Sequence, residues 1–522
     1  AMKLFDHLIV AVALNPNKNP LFSLDNRVKF IQNATKRLRK IEVIPFDNLL
    51  TSLAHSKKAS VVIKGLRAIS DFEFELQMGL MNRKLDESLE TLFMIPSQEY
   101  SFLSSNLVKE IARHDGDVSK LVPYRVNKEF KKVRPSMTLA IDSKAKEMKA
   151  LGEDVIGFGA GEPDFNTPER IKQAGIRAIN NNETRYTPVG GSDLLKEAII
   201  TKLTRDNKLV YEKNQILASC GAKHSFYNLA QVLWQAGDEV LIPAPYWVSF
   251  PEMVILSGAR PIFVHAGADQ NFKITPEQIG NAVTPNTKAI IINSPSNPTG
   301  SAYNRDELEK IAEVALRHNL LIITDEIYEQ IVFNGFQHTS IASISKEVQK
   351  QCVLINGVSK SYAMTGWRIG YIAAGDPDIV KQVNKLQGQS TSNPCAVSQA
   401  ASIEALTGPL DEVQAMVLEF EKRRDIIVEG LTKIPGVSCN KPTGSFYSFP
   451  DFSRLYGKKD MNGKILNGSL DFTEYLLAAE KVAIVPGIAF GADAHARLSF
   501  ATSLEKIEEG VKRIKDAVSK LQ

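Results

Sequence analysis

The sequence predicts an α/β protein built around mainly parallel sheets. Lys288–Ile292 and Leu320–Thr324 are short runs rich in isoleucine and leucine, as expected of strands buried on both faces of a parallel sheet. The first ~125 residues alternate short apolar runs with amphipathic stretches, which is typical of strands covered by helices. The length of 522 residues is too great for one core and indicates about three domains.

The first part of the chain alternates candidate strands and candidate helices. The strands are expected at Leu8–Leu14, Ile41–Phe46, Ser60–Ile63 and Thr91–Ile95. The helices are expected at Leu24–Leu38, Asn48–Lys57, Asp71–Leu85 and Ser105–His114. Ser23 and Asp47 precede the first two helices and are candidate N-caps. Between Asp115 and Arg134 the chain becomes polar and basic, so we place the end of this part at residue 126.

Three segments of this first part, Asn15–Lys18, Lys64–Glu75 and Ser101–Glu110, resemble phosphopantetheine adenylyltransferase. The resemblance implies an incomplete Rossmann-like nucleotidyltransferase segment. That family begins with a strand, a glycine-rich turn and a His-x-Gly-His signature, which are absent from this sequence. Because those histidines stabilise charge on the transferred group, we expect adenylyl transfer to be lost. We also expect the strands beside the absent one to lack a partner along one edge. Residual adenylyltransferase activity and a role in oligomerisation are the alternatives.

Composition and charge exclude several classes of function. The net charge of +4 gives no indication of nucleic-acid binding. No apolar run approaches the ~18 residues that span a bilayer. Leu8–Leu14 lacks the flanks of a signal peptide, so we expect a buried strand and a cytoplasmic protein. The four cysteines lie far apart, as in a reducing compartment, and no histidine or cysteine pair has metal-ligand spacing, so no metal is predicted.

Lys360 is the candidate nucleophile. It lies in Gly357–Tyr371, where small and apolar residues dominate and Arg368 is the only other charged residue. An amine in a partly desolvated setting loses its proton more readily and can form a Schiff base. Because most lysines are solvated, this position alone is a weak signal.

A turn between a strand and a helix is a candidate phosphate site. The expected strand Gln215–Ser219 leads into a turn, and a helix is predicted to begin near His224. Glycine at Gly221 allows close backbone approach, and a helix start offers N–H donors and a favourable dipole. We therefore expect backbone contacts to a phosphate from Gly221, Ala222 and Lys223.

Polar residues follow the two buried apolar runs. Asn297 lies in a proline-rich loop after the first run, and Asp325 and Tyr328 follow the second. Ligands of open α/β sheets collect at the carboxyl ends of strands, so both loops should face one crevice. The alternatives are a helix N-cap for Asp325, an Asx-turn for Asn297 and a core aromatic for Tyr328.

From about Arg134 to the C-terminus, these ordered motifs resemble a class I aspartate aminotransferase, a fold-type I pyridoxal-phosphate enzyme. The bacterial subgroup that includes prephenate aminotransferases is the most similar. The resemblance implies a large cofactor-binding domain over residues 171–410, with an N-terminal arm and part of a small domain over 127–170. The rest of the small domain is expected over 411–522.

The resemblance also implies ping-pong transamination between L-aspartate and 2-oxoglutarate through an internal aldimine at Lys360. A prephenate or bifunctional aminotransferase, or another pyridoxal-phosphate enzyme such as a lyase, is the alternative.

The resemblance implies a set of residues that bind pyridoxal 5'-phosphate. Asp325 would pair with the ring nitrogen, Asn297 and Tyr328 would bind the phenolic oxygen, and Trp247 would stack on the ring. The phosphate would be bound by Gly221, Ala222, Lys223, Ser359, Arg368 and, from a neighbouring subunit, Tyr186. The last contact implies a homodimer.

The resemblance also implies the residues that bind the substrate. Arg497 and Gly161 would hold the α-carboxylate, beside Trp247 and Asn297. A distal carboxylate would be recognised by Lys223 together with Ser136 and Thr138. A cation at that position favours dicarboxylic substrates but also suits prephenate.

Overall fold

The computed structural model describes residues 4–13, 24–36, 38, 40–47, 49–65, 69–94 and 137–522. The chain divides into two compact units, Ala1–Pro135 and Ser136–Gln522. Among the described residues, no helix combines the length and hydropathy needed to cross a bilayer.

The first unit contains two separate parallel strand pairs among its described residues. Strand β1 (Leu8–Ala13) pairs with β2 (Ile41–Phe46), and β3 (Val61–Gly65) pairs with β4 (Glu90–Met94). The helices are α1 (Leu24–Thr35), α2 (Leu50–Ser56) and α3 (Ile69–Leu85). Within the described part, β1 and β3 each have a single strand partner.

Two predictions for this unit are wrong in detail. The first helix ends at Thr35, not at Leu38. The second helix begins at Leu50, with Leu49 as an N-cap that makes no side-chain hydrogen bond, so Asp47 is not a cap. Asp47 lies two residues too early to reach the free N–H groups of the first turn. The predicted helix at 105–114 and the predicted cap at position 23 lie outside the described residues.

The second unit is built around a seven-stranded sheet. Its strands are β6 (Ile216–Ser219), β7 (Glu239–Ala244), β8 (Arg260–His265), β9 (Thr287–Asn293), β10 (Leu321–Asp325), β11 (Cys352–Gly357) and β12 (Gly370–Ala374). They lie in the order β6-β12-β11-β10-β9-β7-β8. Only β12 is antiparallel to its neighbours, which confirms the predicted mainly parallel sheet.

Helices lie along the chain between these strands. They are α5 (Glu169–Asn180), α6 (Asp193–Asn207), α7 (Ala222–Leu233), α8 (Ser249–Ser257), α9 (Pro276–Ala282), α10 (Arg305–Arg317), α11 (Lys346–Lys350), α12 (Pro377–Gly388) and α13 (Ala396–Thr407). In β9, Ile290 and Ile292 belong to one hydrophobic cluster, whereas Ile291 belongs to another. Since alternate side chains of a strand point to opposite faces, the sheet is buried on both sides.

The remaining elements form the smaller part of the second unit. Its helices are α4 (Met137–Ala150), α14 (Asp411–Thr432), α15 (Ser469–Glu480) and α16 (Leu504–Ser519). Its strands are β5 (Ile156–Gly157), β13 (Tyr447–Ser448), β14 (Val482–Ala483), β15 (Val485–Pro486) and β16 (Ala496–Ser499). Strands β13, β16 and β15 form one sheet, and β14 pairs with β5. A third hydrophobic cluster, which includes Phe158, Phe420 and Phe446, packs these elements together.

Candidate active site

The candidate site lies where three neighbouring parallel strands end. Strand β10 lies between β9 and β11, and Asp325 is in register with Asn293 on one side and Ile355 on the other. The loops that follow these three strands therefore begin at the same edge of the sheet. Asn293 links two of them, because its side chain donates to the Asp325 carbonyl at 3.0 Å and accepts from the Asn297 backbone at 2.9 Å.

Asp325 is a buried carboxylate with 7% of its surface exposed. Its Oδ1 accepts a hydrogen bond from the Ile327 N–H at 3.2 Å. A turn follows it rather than a helix, so the helix N-cap alternative is wrong. Burial raises the pKa of Asp325 to about 7, Glu326 adds to this, and Lys360 opposes it. A cation placed beside this group would reverse the shift, so the carboxylate suits a positively charged ligand atom.

Lys360 is half-buried, and its amine points into the same region. Its Nζ donates to the carbonyl of Gly161 and lies 5.9 Å from the ring centroid of Tyr328 and 5.8 Å from that of Phe446. Burial lowers the pKa of Lys360 to about 8, and Arg497 lowers it further, while Glu162 opposes the shift. Near pH 8, about half of this amine is therefore unprotonated and available as a nucleophile or base.

The predicted phosphate turn is present, with its helix starting earlier than predicted. Helix α7 begins at Ala222 instead of near His224, because Gly221 is the N-cap and turns the chain with φ of 91°. A Cβ at Gly221 would lie 2.5 Å from Nη2 of Arg368, so glycine is needed for this close approach. The N–H groups of Ala222 and Lys223 have no partner within the helix, and the Arg368 guanidinium lies beside Gly221 and donates to the Cys220 carbonyl at 3.4 Å. This arrangement fits a phosphate.

Three other predicted cofactor residues are placed as follows. Lys223 Nζ lies 5.1 Å from the ring centroid of Trp247, and burial together with Arg368 lowers the pKa of Lys223. Ser359 is buried next to Lys360 in the chain. Tyr186 has 91% of its surface exposed, so the described chain alone does not enclose it.

Arg497 and Asn297 are brought together from distant parts of the chain. Arg497 is 2% exposed, and its Nη1 donates to Asn297 Oδ1 at 3.0 Å while its Nη2 donates to the Gly159 carbonyl at 2.8 Å. Its Nε is buried and has no hydrogen-bond partner among the described residues. Burial lowers the pKa of Arg497. A buried guanidinium without a paired carboxylate suits an anionic ligand, as predicted for a substrate α-carboxylate. The Asn297 oxygen accepts from Arg497, which does not fit the Asx-turn alternative.

Tyr328 combines a core ring with a hydroxyl in the site. The ring belongs to a hydrophobic cluster, and the hydroxyl lies 2.9 Å from the hydroxyl of Tyr447. Tyr447 was not predicted as a site residue, nor was Glu162, which accepts from the Thr365 hydroxyl at 2.9 Å. Tyr447 lies 50 positions from Arg497, and only the pairing of β13 with β16 brings the two together.

A buried polar network lies beside Asp325 and was also missed. Its carboxylates are Glu326 and Glu329, and their oxygens lie near a ring nitrogen of His338 with a spacing that could hold a metal ion. The carboxylates are already satisfied by donors: Lys202, Asn207 and Asn356 for Glu329, and Thr324, Ser340 and His338 for Glu326. Because an ion would have to displace the Lys202 ammonium, this network is best explained as a rigid support for the turn after Asp325.

Two predicted substrate residues cannot be placed at the site. Ser136 lies outside the described residues, and Thr138 lies in α4 with its side chain outside them.

Comparison with known families agrees with this geometry. The family "Aminotransferase class I and II" matches residues 153–514, and the family "Cytidylyltransferase-like" matches residues 1–111. The second match supports the predicted nucleotidyltransferase character of the first part at the level of that broader family.

Relatives with described activities cover the same region. The aspartate aminotransferase of Bacillus sp. (strain YM-2) is 53% identical over 385 residues, which is 74% of this chain and 96% of the relative. The probable aspartate/prephenate aminotransferase of Rickettsia bellii is 46% identical, over 76% of this chain and 99% of the relative. The crystal structure of the aspartate aminotransferase from Rhizobium meliloti superimposes with a TM-score of 0.73 at 40% identity, over 76% of this chain and 98% of that one. The chain therefore belongs to the class I and II aminotransferase family and has a fold-type I architecture, preceded by a cytidylyltransferase-like segment.

Proposed function

We propose that this aminotransferase uses pyridoxal 5'-phosphate to transfer the amino group of L-aspartate to 2-oxoglutarate. The observation that carries the proposal is that one edge of the sheet brings together Lys360, an amine with a lowered pKa, and Asp325, a buried carboxyl group with a raised pKa. When bound, this cofactor supplies an aldehyde for an amine and a ring that withdraws electrons from the substrate's Cα.

The residues present fit this cofactor. The N–H groups of the first turn of α7 and the Arg368 guanidinium would hold its phosphate, and Ser359 would add a hydroxyl. Asp325 would face the ring nitrogen and keep it protonated, and Tyr328 would donate to the phenolic oxygen.

Lys360 has two roles in the proposed reaction. Its Nζ would hold the cofactor at rest and, when free, would take the proton from the substrate's Cα. Arg497 would orient the substrate through its α-carboxylate, because its buried Nε is free to donate. The two half-reactions would follow a ping-pong order in which oxaloacetate leaves before 2-oxoglutarate binds.

Recognition of the distal carboxylate is assigned to Lys223, with Ser136 and Thr138. We expect Lys223→Gln to lower kcat/KM for aspartate about 10- to 100-fold, because one charge-assisted hydrogen bond contributes ~1.5–3 kcal/mol. The value for alanine, which has no distal carboxylate, should change little. Steady-state kinetics with both amino acids measures this, and Lys381→Gln, an exposed lysine on α12, is the matched control.

Equal losses for aspartate and alanine would contradict the role of Lys223. Since Lys223 also lies over Trp247, cofactor occupancy of the variant should be measured by absorbance, so that a loss of cofactor is separated from a loss of substrate recognition.

Prephenate is the second candidate acceptor. The observation that favours it is the similarity to the Rickettsia bellii relative, which is named as a probable aspartate/prephenate aminotransferase. Assay of prephenate and 2-oxoglutarate as alternative acceptors, with aspartate as the donor, would separate the two, and the same panel would reveal lyase chemistry.

We further propose a homodimer, in which Tyr186 of each chain reaches the phosphate site of the other. The proposal is supported by the exposure of Tyr186 and by the exposed apolar side chains of Ile176 and Ile179 on α5. We expect sedimentation velocity to give a species of about twice the 57.7 kDa chain mass, and a monomer that retains full activity would contradict this proposal. We propose no activity for the first unit.

A further inference from the structure

Tyr447 contacts three residues of the candidate site from a single buried position on β13. Its hydroxyl lies 2.9 Å from the hydroxyl of Tyr328. Its ring lies under the guanidinium of Arg497, with 4.4 Å between the ring centroid and Cζ. A Cβ placed on Gly161 would meet the Tyr447 hydroxyl at 3.4 Å. Tyr447 thus connects the residue proposed for the phenolic oxygen with the residue proposed for the substrate carboxylate.

The neighbours of the two phenols decide which one donates the hydrogen bond. Burial raises the pKa of both hydroxyls. Arg497 opposes this rise at both hydroxyls, but at Tyr328 the contact with Tyr447 outweighs it, and the Arg497 guanidinium lies directly over the Tyr447 ring, 4.4 Å from the ring centroid. Geometry alone allows either hydroxyl to donate, but a cation this close makes the Tyr447 phenol the more acidic one, and the more acidic phenol is the better donor, so the donor is assigned to Tyr447 and the acceptor to Tyr328.

A phenol that accepts one hydrogen bond still has its own proton to donate. With Tyr447 as donor, the Tyr328 proton is left for a different acceptor. In a chain of hydrogen bonds each donor strengthens the next, so the Tyr328 hydroxyl becomes a stronger donor than it would be alone. No other residue is recorded as a hydrogen-bond partner of the Tyr328 hydroxyl in the described part of the chain.

We infer that Tyr447 is a positioning residue that directs the Tyr328 hydroxyl proton toward the phenolic oxygen of the bound cofactor. This inference rests on the proposed function. A stronger donor would stabilise the deprotonated form of that oxygen. It would thereby lower the affinity for the proton that the oxygen shares with the Lys360 nitrogen. Tyr447 therefore keeps the pH midpoint of the bound cofactor's visible absorption low.

The test is a pH titration of that absorption in the full-length, cofactor-loaded protein. Tyr447→Phe keeps the ring under Arg497 and removes only the hydroxyl, and we expect the midpoint to rise by ~0.3–1 pH unit. Tyr328→Phe should raise it further. The double variant should match Tyr328→Phe alone, because Tyr447 acts through Tyr328. Replacing Tyr447 with a fluorinated tyrosine, a stronger acid of nearly the same shape, should shift the midpoint in the opposite direction.

Tyr475→Phe is the matched control. Tyr475 is also a buried tyrosine of the smaller part, and its hydroxyl donates to the Ala517 carbonyl at 2.8 Å, so its removal costs a similar hydrogen bond elsewhere. We expect its midpoint to equal that of the unaltered protein. If Tyr447→Phe folds poorly, the fluorinated variant still tests the inference.

Two results would overturn the inference. One is a midpoint that stays the same in Tyr447→Phe, or in the fluorinated variant, while the cofactor is bound stoichiometrically. The other is a double variant whose shift is the sum of the two single shifts. If the unaltered protein takes up no pyridoxal phosphate, the proposed function fails together with this inference, and the absence of any visible band distinguishes that case.

Discussion

Lys360→Ala should abolish transamination and the visible absorption band of the bound cofactor. The substitution removes both the atom that anchors the cofactor and the base that takes the Cα proton. General base catalysis alone contributes ~10²–10⁴-fold, and loss of the covalent anchor adds to this, so we expect turnover to fall by more than about 10⁴-fold. Steady-state assay with aspartate and 2-oxoglutarate measures the loss.

Chemical trapping gives this prediction a second readout. Borohydride should fix the cofactor permanently to the unaltered protein, and the modified peptide should contain Lys360. Lys381→Ala, at an exposed position on α12, should retain the band, the label and the activity. A label on any other lysine, or turnover in Lys360→Ala within tenfold of the unaltered protein, would show that the nucleophile is elsewhere.

The site residues that the sequence could predict are those whose position depends only on the strand directly before them. Asp325 ends a continuous apolar run, and the rule that ligands collect at the carboxyl ends of parallel strands was enough to predict a crevice there. The register of β9, β10 and β11 places the loops of Asn297, Asp325 and Lys360 at one edge, as that rule requires. The phosphate turn was predictable for the same reason, since Gly221 directly follows a strand and precedes a helix.

Residues whose position depends on distant pairing could not be predicted. In the sequence, Tyr447 cannot be distinguished from a core aromatic residue, because it lies in an apolar stretch. Only the pairing of β13 with β16 places it under Arg497. Lys202 sits on α6, far along the chain from Glu329, and no local pattern indicates that its ammonium neutralises that carboxylate. The error at Asp47 is different in kind: several polar residues near a helix start can serve as a cap, but here the N-cap is Leu49, whose side chain makes no cap hydrogen bond.

Asp325→Asn should have opposite effects on activity and on the stability of the cofactor-free protein. In the proposed cofactor-loaded enzyme the carboxylate would face a protonated ring nitrogen, and breaking such a buried pair costs ~3–5 kcal/mol, which corresponds to about 10²–10⁴-fold in rate. The amide cannot hold the positive charge on the ring. We therefore expect a loss of kcat in that range, while Asp306→Asn, at an exposed position on α10, should leave kcat unchanged.

Without cofactor the same substitution should stabilise the fold above neutral pH. The pKa of Asp325 is about 7 in the folded protein, against an ordinary 3.8, so the folded state keeps a proton that the unfolded state has lost. Stability therefore falls as pH rises from about 4 to about 7, by an amount on the order of 4 kcal/mol. Asparagine does not titrate, so the variant should melt at a higher temperature than the unaltered protein at pH 8 and show a much smaller difference at pH 5. Thermal melts of the two cofactor-free proteins at both pH values measure this. Equal melting temperatures at pH 8 would mean that burial does not destabilise the charged form of Asp325. The physical argument that this carboxylate favours a positively charged ligand atom would then fail.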